Sequence, residues 1–298
     1  MDDLGDLERR AASDGAAALA LAEARLIGEG GAPDAAAALA LVEQAARLGN
    51  ADARRAWVYM TGSGIGRPAD PAAARAMLGE LAKEDRFAAV QHAFLDHLTC
   101  RQKLAEVEPE ILSHDPRIAI FRGLFSPAEC RYLVLLGTPW LERALIIDHA
   151  TGCGVLDPIR DASTSSFPAL AEDLVVQQIN ACIAAASTTE PAWGEPLTIL
   201  HYQPGQQYRP HHDAGGAADA LRHWTALIWL NADYEGGETD FPDVGVQVKG
   251  GVGDMLLFNN VTAEGTADPR MIHAGLPVTR GVKWMASRWI RGSDYLKG

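Results

Sequence analysis

YRPHHDAGG, residues 208–216, is the stretch on which the reading of this chain turns. Its His211 and Asp213 are two residues apart, and on a β-strand such residues point to the same face, so an imidazole and a carboxylate converge on one point. His212, between them, points to the opposite face and reads as a non-ligand. A third ligand must come from elsewhere. His273, in MIHAGLPV (271–278), opens another apolar run 60 residues later, where a neighbouring strand brings it to the same place. Two His and one carboxylate leave adjacent coordination positions open, which suits non-haem iron(II) used with dioxygen and a co-substrate. Zinc hydrolysis is the competing chemistry; it wants a closed tetrahedral set with a general base, and no H-E-x-x-H occurs.

Working outward, Lys283 lies ten residues after His273 in GVKWMASRWIRG (281–292). If Met271–Val278 and Lys283–Ile290 are strands joined by the turn TRG, Lys283 projects into the interior that holds the ligands. A buried ammonium needs an acidic partner, and a dicarboxylate co-substrate supplies one. The alternative is a surface lysine at a strand start, which Val282, Trp284 and Met285 argue against. From Arg117 onwards, short apolar runs alternate with Gly, Pro, Asp and Asn, as in TALIWLNADYEGGETDFP (225–242) and DMLLFNNV (254–261), the pattern of a β-sandwich or barrel. Two helices flank it. SPAECRYLVLLG (126–137) has Ser126 as cap with Glu129 three residues on, and LAEDLVVQQINACIAAA (170–186) carries an apolar stripe.

The first hundred residues differ, holding 28 alanines, and AAAALALVEQAARLG (35–49) combines helix formers with apolar residues three and four apart. Gly28 and Gly30 recur 34 residues later as Gly62 and Gly64, and Asp34 with its four alanines recurs 36 residues later as Asp70-Pro71 with three. A period in the mid-thirties predicts stacked helix pairs. In each unit a helix (15–27, then 51–61) ends in a glycine turn and a second follows an Asp cap; a partial third unit starts near Lys83 and runs through FAAVQHAFLDHL (87–98). LGNADARRAW (48–57) resembles the Sel-like helical repeat, a relative of the tetratricopeptide repeat; an alanine-rich bundle with accidental periodicity is the alternative. His92 and His97 are five apart, off a common helical face, and read as ordinary surface or core residues. The proline-containing, charged stretch 101–116 reads as a linker between residues 1–100 and 117–298.

Composition bounds the rest. At 298 residues, 48% apolar and 22% charged, the chain is ordinary globular material with room for two domains. The formal charge of −13 argues against nucleic acid or anionic membrane as partner, and since residues 1–100 hold 10 basic and 15 acidic side chains, both halves share the excess. A basic or neutral peptide is the electrostatic expectation. Cys100, Cys130, Cys153 and Cys182 form no C-x-x-C pair, MDDLGDLERR lacks a secretory leader, and no apolar run reaches about 18 residues, so a cytoplasmic protein with free thiols is expected.

Several co-ordered blocks carry a family resemblance: PRIAIFRGLFSPAECRYLV (116–134), EPLTILHYQPGQQYRPHHD (195–213), LIWLNADYEGGETDFPDVG (227–245), VGDMLLFNN (252–260) and DPRMIHAGLPVTRGVKWMASRWIR (268–291). Residues 115–292 resemble the 2-oxoglutarate- and iron-dependent dioxygenases of the prolyl 4-hydroxylase catalytic-domain type. The resemblance implies a double-stranded β-helix (jelly-roll) oxygenase domain after an α-solenoid of helical repeats, with Fe(II), 2-oxoglutarate, O2 and ascorbate as reductant. It implies His211, Asp213 and His273 as iron ligands, Lys283 on the distal carboxylate of 2-oxoglutarate, and Tyr202 and Thr225 beside that co-substrate. Tyr208, Arg222 and Trp289 match positions that face the peptide, though packing in the barrel mouth accounts equally for the two aromatics. The implied activity is hydroxylation of a prolyl residue in a peptide or protein recruited by the repeats. The same chemistry on another side chain or a free amino acid, and a non-catalytic repeat scaffold, are the alternatives. GCGVLDPIRDASTSSF (152–167) resembles the family's mobile covering segment, and AGGAADALRHW (214–224) departs from the family pattern in a way that reshapes the substrate mouth.

Overall fold

The computed structural model describes residues 3–147, 154–155, 159–215 and 221–296. Two compact units emerge, one from the chain up to Leu98 with Phe167–Ala181, the other from Thr99–Ser166 with Cys182–Asp294.

The first unit is helical: α1 (Leu4–Arg10), α2 (Gly15–Ile27), α3 (Ala35–Arg47), α4 (Ala51–Ser63), α5 (Pro71–Leu81) and α6 (Arg86–Leu95) each pack on the next. Its caps are the ones the sequence predicts. Asp34 and Asp70 accept from Ala37 N and Ala73 N, both at 2.9 Å, and Gly28 and Gly64 close α2 and α4 in the left-handed region (φ 76° and 81°). Alanines on the inner faces, Ala18, Ala22, Ala38, Ala45, Ala53, Ala56 and Ala74, are buried and let the helix axes approach closely. His92 lies against Gly79 of α5, in the packing role expected of it.

The second unit begins with α7 (Cys100–Leu104), β1 (Glu110–Ser113), β2 (Ile118–Phe121) and α8 (Pro127–Gly137). It continues with β3 (Glu142–Arg143), β4 (Ile146–Ile147), β5 (Gly154–Val155) and β6 (Ser163–Ser166). The helix α9 (Leu174–Ser187) precedes β7 (Thr198–Tyr202), β8 (Tyr208–His211), β9 (Arg222–Trp229), β10 (Tyr234–Gly236), β11 (Thr239–Phe241) and β12 (Val246–Val248). Last come β13 (Met255–Asn259), β14 (His273–Gly275), β15 (Val278–Gly281) and β16 (Lys283–Arg291). The pairings are antiparallel, with a large sheet in the order β1-β2-β13-β9-β16-β7-β6-β3 and a smaller one in the order β12-β11-β14-β8. Alternation places Ile118, Ile120, Leu256 and Phe258 of the large sheet in one core with Phe241 and Val248 of the small one, as a two-sheet jelly roll requires. On the other face of the large sheet α8 lies so close that a Cβ on Gly137 would sit 2.8 Å from Ile199.

Three expectations about the layout are corrected. The stretch 101–116 is no linker, because α7 forms within it and β1 adds an edge strand to the large sheet. Phe167–Ala181 belongs with the helices rather than with the β-rich unit: Gln177 Nε2 donates to the Tyr59 carbonyl at 2.8 Å, and Gly62 supplies the gap, since a Cβ there would meet Gln177 at 2.6 Å and Leu174 at 2.8 Å. Of the covering segment expected at 152–167, residues 152–153 and 156–158 lie outside the described residues, and Ser163–Ser166 is a regular sheet strand on β7. In AGGAADALRHW, residues 216–220 likewise lie outside them.

Glu129 joins α7 to α8. Ser126 N (2.6 Å) and Thr99 Oγ1 (3.2 Å) donate to its Oε2, and Thr99 N (2.9 Å) and Cys100 N (3.1 Å) to its Oε1, so one buried carboxylate closes the α8 capping box and the α7 N-terminus together. Burial raises its pKa, but the donors of Ser126, Thr99 and Cys100 outweigh it and hold the group below its ordinary 4.5. Glu129→Ala should therefore cost about 2–4 kcal/mol in urea unfolding at neutral pH, because buried N–H groups lose their acceptor. A folded pKa below the unfolded one means this contribution is complete above pH 4.5 and fades as pH falls through the folded value, so parent and variant should converge in acid.

Candidate metal centre

Two strands of the small sheet bring the ligands together. His211 ends β8 and His273 begins β14, and the two face one another as a cross-strand pair with ring centroids 4.4 Å apart. Asp213 follows beyond the end of β8, yet its Oδ1 lies 3.5 Å from His211 Nε2 and its Oδ2 3.5 Å from His273 Nε2. Nitrogen and oxygen atoms of the three residues all fall within 4.8 Å of one another, and no other such cluster of His, Cys, Asp and Glu occurs among the described residues.

The tautomers are fixed. His211 Nδ1 sits 2.8 Å from the Arg209 carbonyl and His273 Nδ1 3.0 Å from that of Met271; a carbonyl only accepts, so each Nδ1 carries the proton and each Nε2 turns a lone pair inward. Phe241 and Phe258, with centroids 5.2 and 4.9 Å from the His273 ring, hold that ring in place. Burial raises the Asp213 carboxyl pKa, but His273 and His211 overcome this and hold it well below the usual carboxylate range, while burial holds His211 below its ordinary value. An ionised carboxylate and two inward imidazole lone pairs are the donor set that a divalent iron ion takes. His212 is turned away, its Nε2 donating to the Asp268 carbonyl at 2.6 Å and its Nδ1 accepting from Ala214 N.

Lys283 opens β16 directly opposite Tyr202 of β7 and is 3% exposed. Its Nζ donates to the Gly237 carbonyl at 2.6 Å and rests 5.4 Å from the centre of the Tyr202 ring, with no ion pair recorded for it among the described residues. Burial pushes the ammonium down to about 7, with Glu238 opposing that shift and Lys249 adding to it. The Tyr202 phenol, buried beside it, is pushed up to about 12 and remains a donor at neutral pH. Thr239, two residues from Phe241 on β11, sits on the same inner face, and as a threonine in GGETDFP it carries no local mark in the sequence.

The remaining expected residues separate. Tyr208 stacks on the His211 ring (centroids 3.4 Å, 12° between planes). Arg160, from the expected covering segment, lies over both Tyr208 (5.2 Å) and Trp289 (5.9 Å), and Arg222 covers Trp289 at 3.9 Å. Arg222 also binds the buried Glu195 through two 2.8 Å hydrogen bonds, and Arg291 joins at 3.0 Å, so Arg222 is held inside the wall. The Trp289 indole N–H is buried without an acceptor. Thr225 donates its hydroxyl to Asp213 Oδ2 at 2.8 Å and so acts on the carboxylate ligand. Arg160, Glu195 and Asn260, which donates to Thr225, were missed because they lie tens of residues from the partners they touch.

Known proteins resemble the part of the chain that carries these residues. Residues 197–291 fit the family model of the 2OG-Fe(II) oxygenase superfamily. Prolyl 4-hydroxylase 1 of Arabidopsis thaliana is 34% identical over 214 residues, 63% of this chain and 74% of that protein; probable prolyl 4-hydroxylase 10 of the same plant is 32% identical over 62% and 72%. The solved structure of a viral collagen prolyl hydroxylase from Paramecium Bursaria Chlorella virus-1, in its 2OG complex, aligns with a TM-score of 0.47 at 25% identity over 59% of this chain and 96% of that one.

Binding of 2-oxoglutarate to the metal-loaded protein should depend on Lys283 being charged. With the free group near 7, affinity should fall by up to about tenfold per pH unit above that value, whereas a Lys283→Met protein should bind weakly with no such slope; calorimetric titration between pH 6.5 and 9 reads both.

Proposed function

The chain belongs to the prolyl 4-hydroxylase family of 2-oxoglutarate- and iron(II)-dependent dioxygenases, and from that premise we propose that it hydroxylates a prolyl residue in a peptide or protein. One observation carries the proposal: a His–Asp–His face with both Nε2 atoms directed inward shares its core with a buried ammonium that has no carboxylate of its own recorded. Iron(II), when bound, supplies the redox chemistry that couples decarboxylation of 2-oxoglutarate to succinate and carbon dioxide with oxygen insertion into a C–H bond.

The protein's own residues hold and exclude. His211, Asp213 and His273 present three donors on one side and leave the other open to ligands. Lys283 takes the distal carboxylate of the co-substrate, and Tyr202 and Thr239 donate hydrogen bonds beside it. Phe241, Phe258 and Met285 keep that pocket dry, which strengthens each of these contacts. At the mouth, Tyr208, Arg160 and Trp289 form an aromatic and guanidinium wall against which a peptide would rest. Ascorbate fits as the reductant that keeps the iron ferrous.

The test is direct. Protein supplied with iron(II), ascorbate and 2-oxoglutarate should produce succinate in step with a 16 Da gain on proline-containing peptides, and His211→Ala should abolish both; product on another side chain, or none, would remove the prolyl assignment. Arg160→Ala should raise the peptide KM by about tenfold, as expected for loss of a desolvated cation–π contact, while leaving the KM for 2-oxoglutarate unchanged.

Residues 14–98 we read as Sel-like repeats that recruit the protein substrate. The equivalent bonds Asp34 N to Arg25 O (2.8 Å) and Asp70 N to Thr61 O (2.9 Å), each running from an Asp N-cap back to the last turn of the helix that a left-handed glycine closes, support the repeat. Recruitment requires a whole protein target to show a higher kcat/KM than a short peptide carrying the same proline; equal values would leave the helices no such role. The buried thiols of Cys100, Cys130 and Cys182 accord with a reducing cytosol, and among the described residues no helix is long and apolar enough to cross a membrane.

A further inference from the structure

The two oxygens of Asp213 are not equivalent. Each lies 3.5 Å from one histidine nitrogen, Oδ1 from His211 Nε2 and Oδ2 from His273 Nε2, but Oδ2 in addition accepts the Thr225 hydroxyl at 2.8 Å. Thr225 in turn accepts from Asn260 Nδ2 at 2.9 Å, and both residues are wholly buried. A threonine oxygen carries one proton. With the Asn260 amide donating to that oxygen, the proton is directed to Asp213; with the amide reversed, the hydroxyl would donate to Asn260 and set its lone pairs against a carboxylate.

Asn260 reaches the centre a second way. Its backbone N–H donates to the His223 carbonyl at 2.8 Å and its carbonyl accepts from Asp268 N at 2.9 Å, while the Asp268 carbonyl accepts from His212. One residue thus ties the segment bearing Asp213 to the segment that leads into His273. The arrangement leaves Asn260 Oδ1 buried without a partner, an unfavourable feature that the rest of the network must offset.

We infer that Asn260 and Thr225 form a positioning relay that takes one lone pair of Oδ2, fixes how the Asp213 carboxylate is turned, and leaves Oδ1 as the freer oxygen for the metal. This deepens the proposed function and rests on the same site. Neither residue touches the reacting atoms; both act through Asp213.

Cobalt(II) substituted for iron tests the relay without turnover. Thr225→Val, which keeps the shape and removes the hydroxyl, should weaken cobalt binding by about tenfold and shift its visible bands, as loss of a group supporting a metal ligand does. Thr225→Ser should restore both to within about twofold of the parent, and Asn260→Leu, which leaves the hydroxyl undirected, should fall between them. Thermal melting of the metal-free variants checks folding, and Thr225→Ser, which keeps the buried volume nearly intact, gives the decisive comparison. A Thr225→Val protein with parental affinity and spectrum overturns the relay, as does a Thr225→Ser protein impaired as much as Thr225→Val. A parent that binds no cobalt, or binds it equally after His211→Ala, overturns the metal centre itself.

Discussion

Everything at the centre depends on one cross-strand pair. His211 and His273 are 62 residues apart in sequence and meet only because β8 and β14 are neighbours in the small sheet in a register that places one opposite the other. Side chains alternate along a strand, so a slip of one residue would send an imidazole out of the core. Much of the sandwich can be read as a device for preventing that slip. β11 holds β14 from its other side, Phe241 and Phe258 fill the space around the His273 ring, and two backbone carbonyls fix how each imidazole is turned.

The same core handles charge in a way that makes its two ligands interdependent. Asp213 contributes one buried negative charge and Lys283 one buried positive charge, and each sits among apolar side chains that penalise it. A divalent cation with a dianionic co-substrate adds no net charge, yet gives Asp213 a cation and Lys283 a carboxylate. Either alone would leave an uncompensated charge in a low-dielectric space. Burial is the main cause of the depressed Lys283 pKa, and a carboxylate brought beside the ammonium would raise it again.

What was legible in the sequence was local. The His-x-Asp spacing, the Asp34 and Asp70 caps, the glycine turns and the Ser126–Glu129 capping box each declare themselves within a few residues, and the helix Gly15–Ile27 falls where the caps place it. A helical N-terminal part followed by a β-rich domain follows from the change in apolar pattern once those marks are set. Contacts between distant segments were opaque. The hold of Glu195 on Arg222, 27 residues away, and the place of Arg160 over Tyr208 and Trp289 carry no mark in the sequence. Net charge misleads for the same reason. A chain at −13 still gathers Arg222 and Arg291 on one Glu195, with Arg160 over the same Trp289 that Arg222 covers, a local arrangement that the net charge does not show.

The choice of Thr225 and Asn260 to support Asp213 has a physical logic that a charged group would not satisfy. Lysine or arginine at Thr225 would orient the carboxylate strongly, but it would also neutralise it and add a positive charge beside the cation site. A hydroxyl and an amide are neutral. They fix the direction of the carboxylate by hydrogen bonding and leave its charge for the metal. Both are wholly buried, so their bonds act in a medium where a neutral donor counts for more than in water. The single unmet acceptor on Asn260 is then intelligible as the cost of aiming its amide at Thr225: the residue gives up one hydrogen bond so that the hydroxyl has only one direction in which to donate.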